Sequence, residues 1–524
     1  MTRGDRRPPG QTLFSLLRAL AERFGDRPAV IAGAQTVTYC QLLDAAARVA
    51  GGLAARGIGH GSRVGVLAEN RREWLEAVFG ATALGAVAVP LSTWSRPGEL
   101  DYLIGDAELD ALFAVEGFAG QDFSSALAVL RPKHPRLHTV IMLGPEYDGF
   151  LATAVPPAVD RAHPNDDALI LYTSGSSARP KAVRLVHGSI VANGFAIGER
   201  MALTEADRVL LAPPLFWAYG AVNALPATLG HGAALVLQPR FEPGGWLDLI
   251  ERERCTAVYT LPSMTGAVLR HPEFSRKRTA SLRTGLMIGT PEEVRIAAEE
   301  LGVANICNIY GATETYGNCA VTPAEWPLAR RMASQGPPLP GMRIRIVDPD
   351  TGRALPPGEA GAVEVAGHIT PGYCGASAEH NAASFTADGY FRTGDLALLD
   401  ANGDFRFVAR GSDIIKRAGI NVSPAEVETV LLRHPAVTQA AVVGAPAGEL
   451  GEAIVAFVVL GPGAEADAAA LREHCRALAS SYKTPDRIEI CAALPVTETG
   501  KLFRRGLKER AAALVQPSRQ EVRR

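Results

Sequence analysis

The chain carries almost no net charge that would direct it to a charged partner. Its 53 Lys and Arg stand against 55 Asp and Glu, a formal charge of −2. Neither a nucleic-acid footprint nor attraction to an anionic membrane is therefore expected. Paired cysteines are missing too. The seven present (Cys40, Cys255, Cys307, Cys319, Cys374, Cys475, Cys491) include no Cys-x-x-Cys spacing, which argues against a zinc site or a disulfide framework and for a reducing compartment. No long apolar run occurs: the richest segment, 81–91, falls far short of the ~20 residues that span a bilayer. The charged N-terminus, residues 1–10, leads into nothing resembling a signal peptide. Internal repeats and low-complexity tracts are absent as well. These absences together describe a cytoplasmic protein.

What is present is ordinary for a globular chain: 47% hydrophobic and 21% charged residues. At 524 residues it is too long for one core, so two or three domains are expected. Helical spacing of apolar residues at 12–24, 39–55 and 73–84 alternates with strand-like runs at 29–31, 63–67, 87–91, 111–114 and 139–143. Such alternation predicts βαβ units and mostly parallel sheets. The pattern renews with strands at 208–212, 234–237, 257–260 and 306–310. From about 334 it gives way to Pro/Gly-rich segments with short β-like runs, a β subdomain over about 334–410. The composition breaks again near 410–413. Residues 411–524 then read as a compact α+β C-terminal domain, with helices at 424–434 and 466–478. The tail from 516 is polar.

The stretch that carries most chemistry is 172–183, Tyr-Thr-Ser-Gly-Ser-Ser-Ala-Arg-Pro-Lys-Ala-Val. It follows the apolar run 168–171, a buried parallel strand, and is expected to lead into a helix from about 184. Backbone N–H groups and hydroxyls after a strand, with a lysine beyond, suit an anion such as a phosphate. No Gly-Lys-Ser/Thr ends the loop, so it is not a Walker loop. A polar surface turn is the plain alternative.

Further motifs settle the matter by their order. Residues 172–183 resemble the signature loop of the acyl-adenylate-forming superfamily, the AMP-dependent synthetases and ligases. Tyr310-Gly-Ala-Thr-Glu314, the 336–341 turn (Gly-Pro-Pro-Leu-Pro-Gly), Tyr390-Phe-Arg-Thr-Gly-Asp395, Arg410 with the 421–428 block, and Pro495-Val-Thr-Glu-Thr-Gly-Lys501 are similar to its remaining motifs. The resemblance covers nearly the whole chain and is nearest to the acyl-CoA synthetase branch. It implies an α/β fold: an N-terminal domain, 1–410, of two doubly wound sheets plus the β subdomain, and a mobile C-terminal domain. The reaction implied joins carboxylate and ATP into an acyl-adenylate, from which a thiol, coenzyme A, displaces AMP.

By the same resemblance, Thr173, Ser174, Gly175, Ser176, Ser177 and Lys181 hold the β- and γ-phosphates. Glu314 ligates Mg²⁺, a hard ion suited to one carboxylate plus phosphate oxygens, and Thr313 contacts the α-phosphate. Asp395 accepts from the ribose hydroxyls, with Arg410 near the sugar. Tyr310 stacks on adenine, with Gly289, Thr290 and Pro291 on the other face. Asn308 and Gly311 complete the nucleotide wall, and Lys416 and Gly419 lie toward coenzyme A. Lys501, which in other company would be a solvated surface lysine, is implied as the adenylating lysine. Being on the small domain, it acts only when that domain closes, and rotation near 410–413 then brings up the loop around Gly419. The hinge position usually holds Asp or Lys; here it is Ser412, with Asp413 next. Phe216, Trp217, Tyr219, Gly220 and Ala312 fall on the acyl pocket, Trp217 standing where many members have His. Small residues at Gly220, Ala221 and Gly289 suggest a roomy pocket for a bulky hydrophobic, even alicyclic, acid.

The loop departs from the family pattern at two places. Ala178 and Ala182 stand where glycines are usual. A Cβ in a left-handed conformation costs roughly 1–2 kcal/mol, and a lost donor to a reacting oxyanion costs about 10²–10³ in rate. Arg179 adds a cation that either compensates or blocks. Adenylation is therefore expected to be weak or lost. The main activity is then thioesterification of an acyl-adenylate, for which a separate adenylating enzyme is one source. The alternatives are a full two-step synthetase, a stand-alone ligase loading a carrier protein, a non-catalytic adenylate-binding regulator, and a luciferase-like oxygenase.

Overall fold

The computed structural model describes residues 7–155, 160–173, 180–417, 420–447, 451–479, 483–497 and 502–515. The chain divides into two compact units, one of 1–344 with 365–392 and 403–405, the other of 345–364 with 393–402 and 406–524.

The first unit is built on two open sheets. In the eight-stranded sheet the order runs Ala320–Val321, Asn305–Tyr310, Thr284–Met287, Ala257–Tyr259, Arg208–Leu211, Ala234–Leu237, Pro28–Ala32, Gln35–Thr38. The strands from Asn305–Tyr310 through Pro28–Ala32 are parallel, and the outermost strand at each edge is antiparallel. Apart from Arg208, the residues of the central strands are buried, as in parallel strands covered on both faces. The seven-stranded sheet orders as Tyr373–Cys374, Lys181–Val186, Asp167–Thr173, Val87–Leu91, Arg63–Leu67, Ala111–Ala114, Thr139–Met142.

Helices between the strands follow from capping and stripe. Thr12 caps Leu13–Phe24 by accepting from Ser15 N, and Leu13, Leu16, Leu17 and Leu20 make its buried face. Helices Tyr39–Ala54 and Arg72–Ala83 approach closely at Gly80, where a Cβ would lie 2.5 Å from that of Val49.

One local expectation is corrected. The signature loop joins two antiparallel strands, Asp167–Thr173 and Lys181–Val186, and the helix begins only at His187. The segment Lys181-Ala-Val-Arg-Leu-Val186 buries Ala182, Val183 and Leu185 and leaves Lys181, Arg184 and Val186 partly exposed. The strand lies inside the sheet, between Tyr373–Cys374 and Asp167–Thr173. The loop therefore closes a hairpin, with Thr173 opposite Lys181.

The second unit carries most of a four-stranded sheet, ordered Arg343–Val347, Gly361–Ala366, Phe391–Leu399, Phe405–Arg410. It also holds the hairpin Ile415–Arg417 with Ile420–Val422 and a three-stranded sheet of Val437–Pro446, Glu452–Leu460 and Arg487–Ile490. Helices Pro424–Leu432 and Ala468–Leu478 pack on one apolar cluster, and Arg504–Val515 on another. Asp413 accepts from Lys508 Nζ at 3.1 Å. No helix among the described residues is long and apolar enough to cross a membrane.

Candidate active site

Parallel strands deliver their following loops to one edge of a sheet, the usual place for ligands in open α/β folds. Strands Thr284–Met287 and Asn305–Tyr310 are neighbours, paired Met287 with Asn308. Their loops, Gly289-Thr290-Pro291 and Gly311-Ala312-Thr313-Glu314, consequently leave side by side. Asn308 ties them: its buried Oδ1 accepts from Gly289 N (3.3 Å) and Ile309 N (3.0 Å), and its Nδ2 donates to Ser334 O (3.3 Å). Its amide is spent on this frame. Thr290 caps the helix Pro291–Ile296 in a capping box with Glu293. A Cβ on Gly311 would collide with the Gly317 carbonyl, so the turn there is close-packed.

Tyr310 is buried and stacks on Phe405, with centroids 4.2 Å apart and planes tilted 21°. Thr313–Thr315 forms a single 3₁₀ turn that ends at Tyr316 with φ of 56°, a left-handed conformation rare for a bulky residue. Tyr316 is held there because its hydroxyl accepts from Val186 N at 3.0 Å. The strand after the signature loop is thus tied, through the Tyr316 side chain, to the end of the Thr313–Thr315 turn.

A second tie runs through residues 370–377, which no sequence motif marks. Thr370 N donates to Glu314 O (2.7 Å), and its hydroxyl donates to Arg184 O (2.7 Å). Tyr373 and Cys374 extend the sheet beyond Lys181–Val186, pairing Tyr373 with Val183 and Cys374 with Ala182. Ser377 Oγ accepts from Ala182 N at 3.0 Å. The Tyr373 hydroxyl donates to Glu314 Oε1 at 2.9 Å, and Lys181 Nζ lies 5.2 Å from the centroid of its ring. Burial and the Glu314 carboxylate both push the Tyr373 hydroxyl well above its ordinary pKa, so it stays a donor.

Ala182 needs none of the freedom that glycine would give. It sits in a regular strand, is fully buried, and is not among the described residues of positive φ. The expectation of backbone strain at this position is therefore corrected, because the hairpin makes it extended backbone that any residue adopts. Ser174, Gly175, Ser176, Ser177, Ala178 and Arg179 lie outside the described residues, as do Gly419 and Lys501. Of Lys416, only the backbone pairing with Asn421 is described.

Among the residues expected at the acyl pocket, Phe216 and Trp217 each meet Trp94 edge-on, with centroids 5.3 and 5.2 Å apart. Trp94 follows the parallel strand Val87–Leu91, and only its place past a strand's carboxyl end could have flagged it. Tyr219 opens a π-helical turn, Tyr219–Ala224, and its hydroxyl donates to Leu286 O at 2.7 Å. The inference of roominess from small residues is also corrected. A Cβ on Gly220 would strike the Pro214 carbonyl, and one on Gly289 would lie 2.9 Å from Met287 Cε. Gly220 answers to close packing against backbone, whereas at Gly289 the neighbour is the movable end of a methionine.

In the second unit, Asp395 and Arg410 lie on the neighbouring strands Phe391–Leu399 and Phe405–Arg410. Arg410 Nε is 3.9 Å from Asp395 Oδ1, with the arginine largely exposed. An acceptor next to a solvated guanidinium is a suitable pair for sugar hydroxyls. No group of three or more His, Cys, Asp or Glu that could hold a metal is found among the described residues. The donor set at Glu314, one carboxylate beside hydroxyls, does fit an Mg²⁺ carried in by phosphate oxygens.

The chain matches the family described as AMP-binding enzyme over residues 17–374, and the AMP-binding enzyme C-terminal domain over 426–501. It is 33% identical over 485 residues to a feruloyl-CoA synthase of an Amycolatopsis species, covering 92% of this chain and 95% of that one. It is 31% identical over 543 residues to the acyl-CoA ligase sidI of Aspergillus fumigatus, covering 96% and 92%. Among solved structures, ATP-bound MatB from Rhodopseudomonas palustris aligns with a TM-score of 0.87 at 29% identity, over 97% of this chain and 100% of that one. The anthranilate CoA ligase AuaEII in complex with anthranoyl-AMP aligns with a TM-score of 0.86 at 27% identity, over 98% and 99%.

Proposed function

The chain belongs to the AMP-binding enzyme family, among its acyl-CoA ligases, and on that premise we propose that it joins a hydrophobic carboxylic acid to coenzyme A with adenylation as the slower half-reaction. In the first half a carboxylate oxygen attacks the α-phosphorus of ATP and pyrophosphate leaves. In the second the coenzyme A thiol, giving up its proton, attacks the acyl carbonyl and AMP leaves. Both steps demand positioning and charge neutralisation more than covalent help from the protein.

The observation that carries this reading is the assembly of Lys181, Tyr373 and Glu314 within one unit. It supports an adenylation half that is retained: Lys181 neutralises phosphate charge, and Glu314 would hold the Mg²⁺ that further neutralises it. Ala178 supports a slow one, since with Ala182 in a strand it is the single departure left in the loop. Lys501 would serve adenylation, and Lys416 and the loop at Gly419 the thiol step, with Gly411–Asp413 as the turn between strand and hairpin about which the alternation pivots. Asp395 and Arg410 would hold the ribose.

For the acid, the edge-to-face rings of Trp94, Phe216 and Trp217 favour a flat or bulky apolar group over a short polar one. The test is a pair of reactions over a carboxylic-acid library, acid with ATP and coenzyme A, and synthetic acyl-adenylate with coenzyme A, read by mass spectrometry. Ring-bearing or long apolar acids are expected as thioesters in both. Thioester from the adenylate alone would transfer adenylation to another enzyme, and turnover confined to short polar acids would sink the hydrophobic assignment.

A further inference from the structure

Tyr373 meets two residues of different motifs with two different parts of its side chain. Its hydroxyl donates to Glu314 Oε1 at 2.9 Å, and its ring carries Lys181 Nζ 5.2 Å from the centroid. We propose that Tyr373 is a positioning residue for adenylation, which aims the Glu314 carboxylate at Mg²⁺ and holds the Lys181 ammonium toward the phosphates. The proposal rests on the functional reading above for the roles of Glu314 and Lys181.

The surroundings leave Tyr373 little freedom. It is 3% exposed. Its backbone pairs with Val183 on the strand that begins at Lys181. On its other side Asn381 clamps the same residue, accepting from Tyr373 N at 2.8 Å and donating to its carbonyl at 3.1 Å. Three residues upstream, Thr370 holds the main chain of Glu314 through its own N–H and that of Arg184 through its hydroxyl. Both the backbone and the side chain of Glu314 are therefore set by the segment that carries Tyr373.

Chemistry explains the choice of tyrosine. A carboxylate left to rotate presents its two oxygens indifferently; a hydroxyl donating to one oxygen fixes the plane and directs the other lone pairs elsewhere. A lysine ammonium beside a carboxylate would ordinarily pair with it. The Tyr373 ring offers the ammonium a weak partner instead, a contact that strong ligand charge readily outcompetes. Lys181 and Glu314 are in this way both held by the same side chain, each able to serve the nucleotide. Phenylalanine would keep the ring and lose the aim of the carboxylate. Leucine would lose both.

The two functions separate in a binding experiment without acid or coenzyme A. ATP is titrated into the full-length protein by calorimetry, in EDTA and over a series of MgCl₂ concentrations, for wild type, Tyr373→Phe and Tyr373→Leu. Orienting partners of metal ligands are typically worth about 10–100-fold in metal affinity. Tyr373→Phe is therefore expected to raise the Mg²⁺ needed for half-maximal enhancement of ATP binding about tenfold, with binding in EDTA unchanged. Tyr373→Leu is expected to show the same Mg²⁺ shift and, in addition, several-fold weaker binding in EDTA. Thermal unfolding of each variant identifies any that is simply unfolded, and Tyr373→Phe, which removes a single oxygen, then carries the test. A Tyr373→Phe protein that titrates with Mg²⁺ like wild type overturns the proposal, as does a wild type whose ATP binding ignores Mg²⁺. Failure of the ligase reading would show differently, as absence of thioester in the acid library with these titrations intact.

Discussion

Single residues decide whether the altered loop matters. Ala182 is buried in a strand, so Ala182→Gly should leave pyrophosphate exchange unchanged and cost roughly 0.5–1 kcal/mol of stability, the ordinary penalty for glycine in a strand. Ala178→Gly should instead raise exchange by at least about tenfold, a modest share of what one preorganised donor supplies. The two variants, assayed side by side, separate a loop effect from a composition effect. Gly220 faces the Pro214 carbonyl, and Gly220→Ala should destabilise by about 1–3 kcal/mol through overpacking, seen as a lower urea midpoint. His187 gives a pH signature. It is fully buried, its Nδ1 accepts from Leu13 N at 3.2 Å, and burial lowers its pKa from 6.5 to about 4 despite Asp166 nearby. Between those values the unfolded chain binds the proton and the folded one does not. Stability is complete above the unfolded value and falls as pH drops toward the folded one. Between neutral pH and a point well below the unfolded value, the loss should be about 2 kcal/mol. Urea unfolding at both ends of that range should show the loss in wild type and a flatter response in His187→Gln; equal slopes would remove His187 as the cause.

At the scale of elements, the parallel strands and their helices are legible because each is a self-contained pattern. Runs such as Val87–Leu91 and Ala234–Leu237 are apolar throughout, and helices such as Leu13–Phe24 carry their own cap and stripe. What the pattern hides is pairing. Lys181–Val186 reads as the approach to a helix because nothing local says which strand it will lie against; the partner, Asp167–Thr173, supplies the answer. Likewise the 370–377 segment has no periodicity, and its significance lies in hydrogen bonds to residues 59–195 positions away in sequence. Phe405 reads as a strand residue, but its stacking on Tyr310 is invisible without the fold. The glycine at 220 misleads for the same reason: a small residue signals either open space or close contact, and sequence does not distinguish them. Element-level removal of the tie is testable. Thr370→Ala deletes the hydroxyl bond to Arg184 O, and should lower stability by about 1–3 kcal/mol. It should slow pyrophosphate exchange more than thioester formation from acyl-adenylate; equal slowing of both would make Thr370 a general packing residue.

Across the whole molecule, the motifs divide between two units. Of the residues proposed for the reaction, Thr173, Lys181, Thr313 and Glu314 belong to one, and Asp395, Arg410 and Lys416 to the other. The proposed adenylation step draws on Lys501 as well as on Lys181 and Glu314, whereas the proposed thiol step does not. Lys501→Ala should therefore cut pyrophosphate exchange by about 10²-fold or more, the scale of a lost charge-stabilising donor, and leave thioester formation from synthetic acyl-adenylate near wild type. Order of motifs along the chain is enough to read the family and the chemistry class. It is not enough to read the acid, because the side chains proposed to line its pocket, Trp94 and Phe216 among them, come from distant segments. The most direct test measures both half-reactions on one preparation of the wild-type protein: acid-dependent ATP–pyrophosphate exchange, and coenzyme A thioester formed from the synthetic adenylate of the same acid. The prediction is measurable exchange that is at least about tenfold slower than thioester formation, consistent with one altered loop position; exchange as fast as thioester formation, or none at all, would contradict it.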